Sequence, residues 1–230
     1  MSNTIPIMIT APGREAEALL TLELFKNVGL SLTSFYSRIP PSQVNQRQNS
    51  AQALRFVARQ HPTSGMLFVE DDVTPAPTFL DWLAVAEHYQ RVCYFYVVYH
   101  YFYPDGIGRL IQQQNGDNTD PPKQPIPPGL YQIARAERLW GTQCVYIPQD
   151  IVQQLNADIR LFSDERSYGP FDVHLRNFLA EIGHKPVVAA PNPVQHRGPP
   201  SLVNPKRGAH HSPTFDWPAT RPIEELRKEL

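Results

Sequence analysis

Two patterns of apolar and polar positions alternate along the first part of the chain, one typical of buried strands and one of helices. Short apolar runs at residues 5–10, 31–36 and 66–69 predict strands. Helices are predicted at residues 14–28 and 42–60, and the second of them places its apolar residues on one face. The order strand, helix, strand, helix, strand favours a parallel sheet wound in α/β fashion.

The rest of the chain extends this pattern but also contains segments without periodicity. Further elements are predicted as helices at residues 75–89, 148–155 and 171–182 and as strands at residues 92–103, 130–134, 143–147 and 187–190. Residues 106–128 are polar and rich in glutamine and proline, as in a lid, a binding loop or an insertion. The end of the chain is rich in proline and histidine, with a polar helix predicted at residues 223–230. The expected fold class is therefore α/β, a single Rossmann-like domain with a central, mostly parallel sheet and a Pro-rich C-terminal arm.

The apolar run at residues 66–69 ends in three consecutive carboxylates, Glu70, Asp71 and Asp72. Such acids repel one another, and open α/β sheets bind ligands outside the carboxyl ends of their strands. Hard divalent cations bind carboxylate oxygens together with the phosphates of a nucleotide. We therefore predict a metal–diphosphate site here. The alternative is a solvated acidic turn, in which Asp72 or Thr74 caps a helix that begins near Pro75.

Composition narrows the class of protein. The 230 residues are enough for one well-buried domain, and the formal net charge of −1 provides no general attraction to nucleic acid or anionic membrane. The two cysteines form neither a disulfide scaffold nor a thiolate metal site. The sequence shows no apolar stretch of membrane-spanning length and no signal-peptide pattern, so we expect a cytoplasmic protein without a membrane span. Nothing in the composition indicates the oligomeric state.

Four short motifs share their order with one family of enzymes. Glu70-Asp71-Asp72 resembles the DxD-type motif of GT-A-fold glycosyltransferases, which use nucleotide-sugar donors. Residues 139–148 resemble the G-T-x-x-Y-x-I strand on the acceptor side of the lipopolysaccharide-type, β-galactosyltransferase-like members. Residues 169–172 resemble their later P-x-D element, and residues 193–201 resemble their closing P-x-x-x-H-x-G…S segment. The resemblance covers residues 5–203, but it includes neither the segment at 106–128 nor the C-terminal arm.

This resemblance implies a GT-A-like catalytic domain at residues 1–203, followed by an arm with a short helix at residues 204–230. It implies an enzyme of the hexosyltransferase kind, which moves a sugar from a nucleotide-diphosphate donor, expected to be a UDP-sugar, to a hydroxyl acceptor. Inversion at the anomeric carbon is favoured. Mn²⁺ or Mg²⁺ is the expected cofactor, because a divalent cation stabilises the charge that develops on a diphosphate leaving group.

The resemblance also implies roles for individual residues. Asp72 is the expected metal ligand, and His196 completes the metal site unless it is only hydrogen-bonded within a loop. Glu70 and Asp71 then contact the ribose, the sugar or a metal-bound water. The other expected donor-binding residues follow the first strand or begin the second helix: Thr10, Ala11, Arg14, Gln46 and Asn49. Arg14 is expected to pair with a phosphate, whereas Gln46, its neighbour Arg47 and Asn49 alternatively form plain helix surface.

The acceptor side is assigned in the same way. Asp172 is the candidate general base that takes a proton from the acceptor hydroxyl, with Asp164 and Glu165 as rivals. The alternative role of Asp172 is to cap the helix at 171–182. Three residues before the strand at 143–147 are expected to contact the acceptor or the sugar: Trp140, Gly141 and Thr142.

Other functions remain open at this point. A metal-dependent nucleotidyltransferase would use the same carboxylates, and a non-catalytic carbohydrate-binding protein would need them only as a turn. A saccharide is the first candidate acceptor, and a hydroxymethylated pyrimidine in phage-type DNA is the second. The DNA acceptor depends on a flipped base held by Trp140 or Tyr103 and on a local basic cluster: Arg197, Lys206, Arg207, His210 and His211. The net charge of −1 argues against it.

Overall fold

The computed structural model of the protein describes residues 3–36, 43–96, 128–133, 141–197 and 215. The strands in these ranges are β1 Thr4–Thr10, β2 Thr33–Tyr36, β3 Gly65–Glu70, β4 Val73–Pro75, β5 Cys93–Tyr94, β6 Gly129–Gln132, β7 Cys144–Ile147, β8 Val187–Ala190 and β9 Val194–His196. The α-helices are α1 Glu15–Asn27, α2 Gln43–Gln60, α3 Phe79–Tyr89, α4 Gln149–Ala157 and α5 Phe171–Glu181. Two 3₁₀ helices, Ile159–Phe162 and Arg166–Tyr168, connect α4 to α5.

Seven strands form a central sheet in the order β2-β1-β3-β7-β5-β8-β6. β1 is parallel to both β2 and β3, and β5 is parallel to β8. β7 runs antiparallel to β3 and β5, and β6 runs antiparallel to β8. The predicted α/β class is therefore confirmed, with a mixed sheet in which only β6 and β7 oppose the common direction.

Helices cover both faces of this sheet. Along β3, Met66 and Phe68 pack into one core cluster together with α2, α4 and α5, whereas Leu67 and Val69 pack into a second cluster with α1 and α3. The Phe68 ring stacks on Phe171 of α5 with their centroids 5.1 Å apart. Because successive side chains of a strand point to opposite faces, a strand covered on both sides needs an unbroken apolar run.

The chain reverses its direction of winding at β1. It passes through α1 to β2 on one side of β1, and then returns through α2 to β3 on the other side. Such a switch point leaves a crevice outside the carboxyl ends of the two central strands. Thr10 ends β1 and Glu70 ends β3, with Ile9 paired to Glu70 in the register. The acidic triplet therefore lies at the edge where α/β sheets bind ligands.

The helix predicted from Pro75 begins later, at Phe79. Residues Val73–Pro75 form β4 instead, paired antiparallel with β9. Prolines at 75 and 77 explain this, because a residue that precedes proline is disfavoured in the α-helical region. Asp72 and Thr74 therefore cap no helix, and the capping roles proposed for them are wrong. β9 was not among the predicted strands. The strand predicted at residues 187–190 is confirmed as β8.

Several predictions concern residues outside the described ranges. Most of the strand at 92–103, the segment at 106–127 and the C-terminal arm belong to this group, as do the following single residues: Tyr103, Trp140, Lys206, Arg207, His210 and His211. No helix in the described part of the chain combines the length and the apolar character needed to cross a membrane.

Candidate functional site

The acidic turn, residues Glu70 to Asp72, connects β3 to β4, and its two aspartates are buried. Arg14, which directly precedes α1, compensates their charge. Its Nε and one terminal nitrogen lie 3.1 and 2.9 Å from Asp71 Oδ1, and the same terminal nitrogen donates to Asp72 Oδ2. A cation at the start of a helix is unfavourable for the helix dipole, and these ion pairs offset that cost. The described contacts of the Arg14 side chain are therefore with the acidic turn.

Asp72 and His196, the two predicted metal ligands, lie side by side. The antiparallel pairing of β4 with β9 places Val73 opposite His196, and His196 Nε2 lies 3.1 Å from Asp72 Oδ2. His196 is thus part of a strand rather than of a loop. Burial by itself would raise the pKa of Asp72, but hydrogen bonds and charges from His196 and Arg14 outweigh burial and lower it. Asp72 is therefore a carboxylate at neutral pH.

The unused atoms of this pair fit a cation with few protein ligands. Asp72 Oδ1 and His196 Nδ1 are buried and have no hydrogen-bond partner among the described residues. Within the same residues, no group of three or more His, Cys, Asp or Glu side chains is arranged to hold a metal ion. Mg²⁺ and similar hard cations, however, bind through one or two carboxylates and take their remaining ligands from substrate phosphates and water. The donor set suits a cation that arrives with a diphosphate.

Glu70 is the third acid of the turn and differs from the other two. The Thr142 hydroxyl donates a hydrogen bond of 3.3 Å to Glu70 Oε1. Burial, followed by repulsion from Asp72, Asp172 and Asp71, raises the pKa of Glu70 to about 8. Glu70 is therefore mostly protonated at neutral pH without a bound cation, and its carboxyl group is able to donate a hydrogen bond.

Asp172 lies close to this acidic turn. It occupies the first turn of α5, whose N-cap is Pro170, so the proposed capping role of Asp172 is wrong. Instead, Asp172 Oδ2 accepts a hydrogen bond of 3.0 Å from the backbone N–H of Gly141. Gly141 has a φ of +91°, and a Cβ there would lie 2.1 Å from the Gln143 side-chain oxygen, so the position favours glycine. Asp172 itself is partly exposed.

The rival bases form other contacts. Asp164 and Glu165 are exposed, and they accept hydrogen bonds from Gln48 and Ser167 respectively. Arg47 is fully buried and donates to three backbone carbonyls of the 163–169 loop, those of residues Ser163, Glu165 and Gly169. Arg47 is thus neither helix surface nor, in its described contacts, a nucleotide ligand, because it holds the loop that leads to Asp172.

The remaining donor-binding candidates are distributed over two elements. Thr10 is buried, and its hydroxyl lies beside Asp71, whose pKa is raised by burial against the opposing effects of Arg14 and Thr10. Ala11 follows it in the chain and is partly exposed. Gln46 is half-buried and Asn49 is buried in α2, and no described hydrogen bond joins either side chain to the acidic turn.

Arg197 is a site residue whose role sequence reasoning missed. Its side chain lies inward, against the backbone of the acidic turn and against α1, and 16% of it is exposed. A phosphate contact from Arg197 to DNA is therefore incompatible with its described position. Sequence reasoning also missed Thr21 of α1. Its hydroxyl donates a 2.7 Å hydrogen bond to the Asp71 carbonyl. The only sequence signal for Arg197 is its place directly after His196.

Comparison with models of known protein families gave no match, and comparison with curated proteins gave none either. Function is therefore inferred from the chemistry of the crevice. That crevice combines an Asp–His pair with unused donor atoms, a protonated carboxyl group and a partly exposed carboxylate beside a backbone N–H.

Proposed function

We propose that the protein is a metal-dependent glycosyltransferase that moves a sugar from a nucleotide-diphosphate donor, a UDP-sugar in our assignment, to a hydroxyl acceptor. One observation carries the proposal. Asp72 and His196, which come from distant parts of the chain, meet within 3.1 Å at the switch point of the sheet, and Asp72 Oδ1 is left buried without a partner. Buried polar atoms are rarely left unpaired, so this oxygen is the expected contact of an incoming cation.

Asp72 and His196 would hold Mn²⁺ or Mg²⁺ together with the diphosphate of the donor. When bound, the cation supplies stabilisation of the negative charge that develops on the leaving group. Glu70 is assigned to a hydroxyl of the ribose or of the sugar, with which it would form a hydrogen bond. Arg14 is paired with both aspartates. When a divalent cation takes its place beside them, the Arg14 guanidinium would be free to bind a phosphate of the donor.

Asp172 is assigned to the acceptor. Its Oδ2 is engaged by Gly141, so Oδ1 takes the proton from the acceptor hydroxyl. The acceptor oxygen then forms a bond to the anomeric carbon as the bond from that carbon to the diphosphate oxygen breaks, which inverts the configuration. A general base of this kind contributes about 10²- to 10⁴-fold to the rate.

A saccharide is the acceptor that we favour. The inward position of Arg197 removes one of the residues on which a DNA acceptor depended. The formal net charge of −1 also leaves the chain without the excess of Lys and Arg that duplex binding uses.

A thermal-shift panel tests the function. We expect stabilisation by UDP and UDP-sugars that requires Mn²⁺ or Mg²⁺ and disappears with a chelator. Asp72→Asn should abolish the stabilisation and the transfer of sugar while the variant stays folded. Asp150→Asn, which alters an exposed aspartate at the start of α4, is the matched control.

Other outcomes of the panel contradict the proposal. Stronger stabilisation by nucleoside triphosphates, with nucleotide transfer or phosphodiester cleavage, would identify a nucleotidyltransferase or a nuclease-like enzyme instead. The absence of any metal-dependent stabilisation by nucleotides would leave a carbohydrate-binding protein in which the acidic triplet is only a turn.

A further inference from the structure

We infer that Arg197 is a positioning residue that determines how tightly the acidic turn binds a divalent cation. The inference rests on the function proposed above, and it assigns Arg197 no contact with the cation itself. Arg197 directly follows β9, and its hydrogen bonds are made with the backbone of the acidic turn, with the Val73 carbonyl of β4 and with α1.

Three consecutive carbonyl groups around Asp72 accept hydrogen bonds from Arg197. Its backbone N–H donates to the Asp72 carbonyl over 2.7 Å. Its guanidinium donates to the Val73 carbonyl over 2.6 Å and to the Asp71 carbonyl over 3.0 Å. The backbone is thus held on both sides of Asp72, and this fixes the position from which the Asp72 side chain extends.

The same guanidinium joins the acidic turn to α1. The terminal nitrogen that faces the Asp71 carbonyl also lies 2.8 Å from the Thr21 hydroxyl and 2.9 and 3.1 Å from the carbonyl and carboxylate oxygens of Glu17, and its two hydrogens are shared among these acceptors. Thr21 in turn donates to the Asp71 carbonyl over 2.7 Å. Because Arg197 also follows His196 in the chain, one residue holds the backbone beside both proposed cation ligands.

The charge of Arg197 and its hydrogen bonds have opposite effects on the affinity of the site for a cation. Loss of a nearby positive charge would by itself favour a cation, whereas loss of the hydrogen bonds would let the ligands move. Lysine keeps the charge but lacks the rigid, planar set of donors that arginine offers. Arg197→Lys therefore isolates the positioning effect. Replacement of residues that support metal ligands typically weakens metal affinity by about 10- to 100-fold.

The test is a titration of the purified chain with Mn²⁺, followed by the electron paramagnetic resonance of free Mn²⁺, with and without UDP. We expect Arg197→Lys to raise the Kd for Mn²⁺ by about tenfold or more. In transfer assays the KM for Mn²⁺ should rise in the same proportion, with little change in kcat at saturating Mn²⁺. Thr21→Val, which removes a hydroxyl bonded to the same Asp71 carbonyl, should act in the same direction.

Arg47→Lys is the matched control, because Arg47 is also a buried arginine that donates to three backbone carbonyls, but those of the 163–169 loop. It should lower the melting temperature and leave the Kd for Mn²⁺ unchanged. A folded Arg197→Lys with the wild-type Kd would overturn the inference alone, as would an equal loss of affinity in Arg47→Lys. If Arg197→Lys does not fold, a Kd for Mn²⁺ in Thr21→Val equal to that of the wild type would overturn the inference instead. A wild-type chain that binds no Mn²⁺, even with UDP, would overturn the proposed function and the inference together.

Discussion

Replacement of Glu70 by glutamine should stabilise the metal-free protein, and by more at high pH than at low pH. Burial, together with Asp72, Asp172 and Asp71, raises the pKa of Glu70 from 4.5 to about 8. Between these two pH values the native protein keeps the proton, whereas the unfolded chain has lost it. Stability therefore falls as the pH rises through this window, because the native state binds more protons than the unfolded state. Glutamine has no proton to lose and avoids this fall.

The size of the effect follows from the same pKa values. A difference of one unit between the pKa values in the native and unfolded states corresponds to about 1.4 kcal/mol in the free energy of unfolding. The pKa of Glu70 is 4.5 in the unfolded chain and about 8 in the native protein. Linkage then predicts that the free energy of unfolding of the wild type falls by about 3 kcal/mol between about pH 5 and about pH 8. The stability of Glu70→Gln relative to the wild type should grow by that amount over this range.

Urea unfolding at both pH values, with a chelator present, measures the difference directly. Effects of pH on titratable groups that do not interact with Glu70 cancel when the variant is compared with the wild type at the same pH. Glu23→Gln, at an exposed position of α1, is the control for the exchange of a carboxylate for an amide. A stability difference between Glu70→Gln and the wild type that stays the same at both pH values would refute the reasoning, because the native protein would then not retain the proton.

Two further predictions concern other acids. Asp172→Asn should lower kcat by about 10²- to 10⁴-fold and leave the thermal stabilisation by UDP and Mn²⁺ intact, since an amide cannot take the acceptor proton; an unchanged kcat would assign proton removal to another residue. Burial by itself would raise the pKa of Asp158, but Arg160 and His174 together lower it below its ordinary value. The Asp158 carboxylate therefore stabilises the native protein at neutral pH, and this contribution is lost as the pH falls through the lowered pKa. Asp158→Ala should therefore cost about 2 kcal/mol in urea unfolding at neutral pH, with a smaller cost at acidic pH, and a cost that does not vary with pH would contradict this account.

Local patterns in the sequence were sufficient for the core elements and for the place of the crevice. The unbroken apolar run of β3 predicts a strand because each of its residues is buried on one face or the other. The acids that follow it have to lie at the end of that strand, whatever the rest of the fold. Asp72, His196 and Asp172 were named as candidates for this reason, or because of their place in short motifs, and their catalytic roles stay predictions.

The direction of β7 could not be predicted from its own residues. A strand that is buried on both faces has the same apolar character whether it runs parallel or antiparallel to its neighbours. Its place between β3 and β5 depends on a chain connection that no local pattern describes. The pairing of β4 with β9 is of the same kind, since it joins segments that are distant in the sequence.

By itself, then, the sequence determined the segments that contain the core strands of the central sheet and that three carboxylates follow one of them. Only the tertiary structure decided the partners of the three arginines at the site. Arg14 contacts the acidic turn, Arg47 holds the 163–169 loop, and Arg197 binds the backbone around Asp72. The physical reason is that a guanidinium is able to bind phosphate, carboxylate and backbone carbonyl groups alike, so its residue type does not specify its partner. Which of them it meets depends on what the fold brings within reach of its side chain.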